Sequence, residues 1–211
     1  KQLNTMENKQ IMKEAQESLK GNWGISIAVC LTAGMITLLF VILGGYLINE
    51  DWGGNILSLL ITPPLGVGLA LFFLNVYDGR NLEMKTLFNP FKEVWLNSVL
   101  AYFMMIVIVS IGTILFIIPG IIATLMFSQV LYIIAEDKKI DPYNALVKSK
   151  QMMEGNKWKL FKILLRILLL AIGCILTLGI GFIWLAPYQN AVYAKFYKVI
   201  KEDKHFEART H

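Results

Sequence analysis

Apolar residues gather in six runs, at 25–48, 56–76, 99–118, 121–134, 160–179 and 181–200, and most polar residues fall in the longer segments that separate these runs in pairs. One membrane crossing takes about 20 apolar residues at a rise of about 1.5 Å each. The stretch from 160 to 200 is about twice that length with Gly179-Ile180-Gly181 at its middle, so it must cross, turn and return. Residues 99–134 carry no charge, and Pro119-Gly120 is their natural turn. Because the run after that turn is short, a re-entrant pair with its free backbone groups buried in protein also fits. The first pair turns through residues 49–55, which hold Glu50, Asp51 and Trp52.

Between the pairs the apolar spacing becomes helical and one-sided. Ile11, Met12, Ala15 and Leu19 share a face opposite Lys9, Lys13, Glu14, Glu17 and Lys20, and Gly21-Asn22 supplies the stop. This is the pattern of a helix lying on a membrane surface. Met84, Leu87, Phe88, Phe91, Val94 and Trp95 predict a second such helix, its start reset by Asn89-Pro90. A third has Asp141 as N-cap, Pro142 at the first helical position and Gly155-Asn156 as its end. Trp23, Trp95 and Trp158 each precede a rising run, where an indole suits the headgroup layer. The spacing from Pro64 to Tyr77 equals that from Pro119 to Tyr132, while Pro187 to Tyr197 is shorter. The chain therefore reads as one unit used three times. The plainer alternative is that any membrane hairpin needs an interfacial Trp and a turn.

The expected fold is an all-α membrane protein of six transmembrane helices in three hairpins, each preceded by an amphipathic helix on the cytoplasmic face. Residues 1–24 form the leader, 25–200 the membrane domain and 201–211 a polar cytoplasmic tail. Composition agrees: 56% hydrophobic and 17% charged residues, with a mean hydropathy of +0.57, leave too little polar surface for a soluble domain. The first apolar run is too long for a signal-peptide core. Of the 20 Lys and Arg, four lie in the leader, three between the second and third runs, eight from Lys138 to Arg166 and five from Lys195 onward. None falls in the three opposite turns. The positive-inside rule then places both termini and both long loops in the cytoplasm of a bacterial cytoplasmic membrane.

Catalytic constellations are missing from the pattern. His205 and His211 lie in the tail, Cys30 and Cys174 lie alone in apolar runs, and no paired carboxylates, phosphate loop or nucleophile elbow occurs. Neither an enzyme activity nor a metal or other cofactor is expected. Glu136-Asp137 reads as a solvated loop more readily than as a cytoplasmic gate. Trp158, Lys162 and Arg166 stand at i, i+4 and i+8, with Lys159 beside them. Snorkelling of the cations to inner-leaflet headgroups explains them most simply. The sharper reading is a basic groove that grips the phosphate or carboxylate of a lipid or other amphiphile. Asn75, Gln129 and Asn190 fit interhelical hydrogen bonding, or the lining of a polar path. Pro64, Pro119 and Pro187 fit turns, or the broken helices of transporters.

Four blocks, Leu19-Lys20-Gly21-Asn22-Trp23, Ile117-Ile118-Pro119-Gly120-Ile121, the run from Met152 through Gly155-Asn156-Lys157-Trp158 to Phe161, and Leu176-Thr177-Leu178-Gly179-Ile180-Gly181-Phe182-Ile183-Trp184, come in that order. With them the chain resembles the bacterial integral membrane family catalogued as domain of unknown function 975. The resemblance implies a cytoplasmic-membrane protein, commonly of Gram-positive bacteria, distantly similar to the membrane domain attached to some glycerophosphodiester phosphodiesterases. It also implies a link to bacteriocin immunity for some relatives, and it supplies no catalytic residues. Three functions follow as expectations. The first is recognition of an anionic lipid or membrane-active peptide at the inner leaflet, in an immunity, envelope-maintenance or export-accessory role. The second is small-solute transport past Asn75, Gln129 and Asn190. The third is a membrane scaffold for a partner enzyme or other membrane protein. The expected partners are membrane lipids, a hydrophobic peptide or a partner membrane protein, with no nucleic acid.

Overall fold

A computed structural model describes residues 8–48 and 52–210, with side chains through Asp203. The first seven residues, the Glu50-Asp51 turn and the side chains of His205 and His211 lie outside the described residues. Among the described residues all regular structure is helical. In order these are α1 (Asn8–Ser18), α2 (Trp23–Leu47), α3 (Gly53–Tyr77), a 3-10 turn (Met84–Leu87), α4 (Asn89–Glu93), α5 (Trp95–Leu115), α6 (Ile117–Phe127), α7 (Val130–Glu136), α8 (Pro142–Met153), α9 (Lys157–Leu176) and α10 (Phe182–Thr210). Four stretches are long and apolar enough to cross a membrane: α2, α3, α5, and Ile117–Glu136, which comprises α6 and α7. Their outward faces are apolar, with Met35, Leu38, Ile42, Ile114 and Ile117 all exposed, as lipid rather than water as solvent allows.

The helix ends follow local chemistry. Gly21, Gly79, Gly155 and Gly179 all have positive φ, and each closes a helix where the sequence places a stop. Asp141 caps α8, its carboxylate accepting from the Asn144 N–H at 3.0 Å. That contact holds the Asp141 carboxyl below the usual carboxylate range.

The prolines do not break their helices as expected. Pro63 and Pro64 sit inside α3 and Pro187 inside α10. A proline at 64 leaves the Leu60 carbonyl without its helical donor. The Trp95 indole supplies one, donating to Leu60 O at 3.1 Å. Trp95 is therefore more than a headgroup anchor. Pro119 is not the turn either. The chain turns three residues earlier at the extended Phe116, and Pro119 falls in the first turn of α6, where its missing N–H costs nothing. The fourth expected span is interrupted at Ser128-Gln129. There Ser149 of α8 fills the gap, donating to Met126 O at 2.8 Å and accepting from the Gln129 N–H at 3.3 Å. The expected second surface helix is split into the 3-10 turn and α4 at Asn89-Pro90.

The fifth and sixth expected spans differ most from expectation. α9 carries Lys157, Lys159, Lys162 and Arg166 within its first ten residues, and α10 continues through the expected polar tail to Thr210. α2 and α3 pack against each other beside their connection, with Gly44 against Gly53 and Val41 against Gly54. Trp23 and Tyr77 consequently stand at the same end of that pair. α10 reaches both, since Trp184 and Tyr188 share a pocket with Trp23 while Lys195 bonds Tyr77. Asn190 meets Cys30 at 4.0 Å between them. α10 thus touches the start of α2 at Trp23 and the end of α3 at Tyr77 and Asp78, where its lysines meet their carboxylates.

The core gathers where α3 and α10 meet α1 and α7. Phe72, Phe73, Ile133, Phe196 and Tyr197 are fully buried there. At the opposite end of α3, a Cβ on Gly53 would overlap the Gly44 carbonyl and one on Gly44 would overlap Gly53. Gly53→Val is expected to cost about 1–3 kcal/mol through overpacking, read as a lower unfolding midpoint in detergent. Gly34→Ala, where a Cβ meets nothing within 4 Å, is expected to stay within about 0.5 kcal/mol of wild type.

Candidate functional site

α10 presents Lys195, Lys198 and Lys201 within two turns, and three carboxylates from three other helices or helix ends meet them. Lys195 is 3% exposed. Its ammonium lies 2.6 Å from Glu14 of α1, donates to the Tyr77 hydroxyl at 2.8 Å and sits 4.5 Å from the Tyr77 ring centroid. Lys198 bridges Asp78 and Glu136, each at 3.1 Å. Lys201 pairs with Glu136 as well, and Tyr197 donates to the same carboxylate at 2.7 Å while stacking on Tyr132. Arg80 also meets Asp78 at 3.1 Å, so every carboxylate of the cluster has at least one cation beside it. A buried ammonium is tolerable only with such partners. Glu136, expected as a solvated loop residue, is a structural counter-ion here.

This cluster fixes α1. With Ile11, Ala15 and Leu19 buried beneath it, α1 lies against α10 and α9, and the Asn8 side chain donates to Lys159 O at 3.1 Å. α1 is therefore a wall of the protein, whereas the sequence predicted a helix resting on lipid.

Between α1, α9 and α10 lies a groove in two parts. The basic part, about 430 Å³, is lined by Lys9, Met12, Lys13, Gln16, Arg166 and Tyr188. The apolar part, about 590 Å³, shares Gln16 and Tyr188 and adds Leu170, Gly173, Cys174 and Thr177 from the α9 side. Gly181, Trp184 and Leu185 close it from the α10 side, and Trp23 from α2. Both volumes fall in the range of ligand sites, about 300–1,000 Å³. Arg166 is half-buried, its guanidinium 3.9 Å from Met12 Sδ. Lys9, Lys13 and Arg166 make no ion pair among the described residues, and no acid lines either part.

The residues proposed from sequence separate. Trp158 is 65% exposed, stacked on Phe161 at 5.1 Å with Lys162 5.9 Å from its ring centroid, so Trp158 faces outward, away from the groove. Lys159 is half-buried, and Arg166 alone reaches the groove. Eight helical residues turn through about 800°, some 80° off the starting face, which is enough to separate Arg166 from Trp158. Gln129 is fully buried and donates to Ser128 at 2.9 Å, Asn190 donates to Ala186 O at 2.9 Å, and Asn75 is half-buried near the end of α3. None of the three lines either part of the groove. Sequence reasoning missed Lys9, Lys13 and Tyr188. Lys9 and Lys13 were visible as leader lysines, but the element they face lies some 150 residues away.

Membrane-length helices with a two-part groove at one end define a helical membrane protein with a small-molecule-sized site. The chain matches the family described as a protein of unknown function (DUF975) over residues 97–204, just over half its length, and belongs to that family. The match covers most of α5 through about the first four-fifths of α10, including Arg166, Cys174 and Lys195. No curated protein and no solved structure matches the chain.

The hydrogen bond from Lys195 holds the Glu14 carboxyl below its ordinary value of 4.5, although partial burial pushes the other way. A depressed folded-state pKa means that the pair contributes stability above pH 4.5 and loses it as pH falls through the lowered value. Acidification below pH 4.5 is therefore expected to release α1, read as faster proteolysis within residues 8–22 with the remainder intact. Glu14→Gln is expected to show that release at neutral pH and to lose about 1.5–3 kcal/mol, the scale of a charge-assisted hydrogen bond.

Proposed function

We propose that the protein binds an anionic amphiphile at the inner leaflet of a bacterial cytoplasmic membrane, without catalysing a reaction. In this reading α2, α3, α5 and the α6–α7 stretch cross the bilayer. α1 packs at their cytoplasmic end, where the positive-inside rule puts the basic segments, and the α9–α10 hairpin, whose Leu169, Leu176, Leu178 and Trp184 are exposed, enters the inner leaflet from there. Immunity, envelope maintenance or an accessory role in export would all use such capture.

The observation that carries the reading is the groove's division: three cations without ion-pair partners open directly into an apolar pocket. Arg and Lys at the end of an apolar slot suit a phosphate or carboxylate whose hydrocarbon stays out of water. Trp158 and Lys162, outward-facing, serve as the interfacial anchor. Transport has less support, because the amides Asn75, Gln129 and Asn190 sit apart from the groove.

Native mass spectrometry of protein released from phosphatidylglycerol and phosphatidylcholine mixtures tests this. Wild type is expected to retain phosphatidylglycerol preferentially, and Lys13→Gln, Arg166→Gln to lose that preference by about tenfold, or 1.4 kcal/mol. Lys162→Gln is expected to leave it nearly unchanged. Equal retention of the two lipids by wild type would sink the proposal.

A further inference from the structure

The proposed capture leaves open how many hydrocarbon chains the ligand carries and where they lie. The apolar part of the groove is a single slot between α9 and α10, closed at its far end by the turn where Gly181 packs on Cys174. On α9 the apolar lining runs from Leu170 to Thr177, about 10 Å, and with Arg166 one turn before it the whole groove spans about 16 Å. That is close to the hydrocarbon depth of one leaflet, about half of 30 Å. Leu170 and Trp184 on its margins are exposed, so the slot opens sideways to lipid. At the other end, Lys9 and Lys13 on α1 and Arg166 on α9 face a space without a carboxylate among the described residues. One acidic head and one chain fit this arrangement. A second chain would have to leave the slot.

We infer that the groove is a site for a single-chain acidic amphiphile, a lysophospholipid or fatty-acid type of molecule, its head on Lys9, Lys13 and Arg166 and its chain against Cys174. This rests on the capture reading and narrows it. The anion recognised is a phosphate or carboxylate, and the chain supplies the apolar contact that a free headgroup lacks.

Cys174 lines the slot and reports its occupancy. The test is the rate of N-ethylmaleimide alkylation of Cys174 in the full chain carrying Cys30→Ala, in detergent micelles. Myristoyl lysophosphatidate at about ten times its Kd is expected to slow alkylation about tenfold. sn-Glycerol 3-phosphate, a head without a chain, and myristoyl lysophosphatidylcholine, a chain without net negative charge, are each expected to slow it less than about twofold. Lys13→Gln, Arg166→Gln is expected to abolish the protection by lysophosphatidate, while its alkylation rate without ligand stays at the parent value, which shows that the slot is folded. Protection by glycerol phosphate alone would mean a free-anion site and overturn the inference, as would equal protection by lysophosphatidylcholine. If phosphatidylglycerol is retained in native mass spectrometry but lysophosphatidate does not protect Cys174, the single-chain assignment fails and capture survives. If neither is held, both fail.

Discussion

A lysine buried at 3% exposure beneath the end of a transmembrane pair sets the terms for the rest of this molecule. Lys195 cannot shed its partners without leaving an uncompensated charge, a penalty of about 3–5 kcal/mol in buried pairs. Its partners are Glu14, 181 residues earlier, and Tyr77 at the foot of α3. Satisfying that one ammonium brings α1, α3 and α10 together. Lys198 and Lys201 extend the arrangement to α7 through Glu136. The groove lies between α1, pinned to α10 by this cluster, and α9, and its basic lining is Lys9 and Lys13 of α1, which the cluster does not neutralise, together with Arg166 of α9.

The membrane imposes the complementary constraint. Backbone polar groups in hydrocarbon must find partners inside the protein. The structure meets this at its two weakest points with side chains from elsewhere, the Trp95 indole on the carbonyl freed by Pro64 and the Ser149 hydroxyl in the break between α6 and α7. Helices can thus be irregular without lining a channel. Gln129, next to that break, is fully buried, which is how an intramembrane amide becomes a packing element.

Much of the fold could be read along the chain. Left-handed glycines at 21, 79, 155 and 179 end helices where local composition says they should, and the Asp141-Pro142 start is a local cap. These depend on neighbours within a turn. Arg166 was also visible in the sequence, as a cation on α9 that snorkelling explained most simply and a basic groove more sharply. What could not be read was its company. Whether Lys195, Lys198 and Lys201 mark a return to the headgroups or a buried ion cluster depends on which carboxylates the fold delivers, and those come from positions 14, 78 and 136. The same limit misplaced α1. An amphipathic face with four small or medium apolar residues fits a lipid surface and a protein surface equally, and only the Lys195–Glu14 contact decides between them.

The central claim is that α1 is docked against the α9–α10 pair, forming one wall of the groove. The most direct test is a short bis-maleimide cross-link between Gln16→Cys and native Cys174, both of which line the apolar pocket, made in native membranes on a Cys30→Ala chain. The expected result is an intrachain cross-link in good yield that falls sharply when Glu14→Gln is added. Ready labelling of each thiol singly without any cross-link would contradict the account, because α1 would then lie away from the groove.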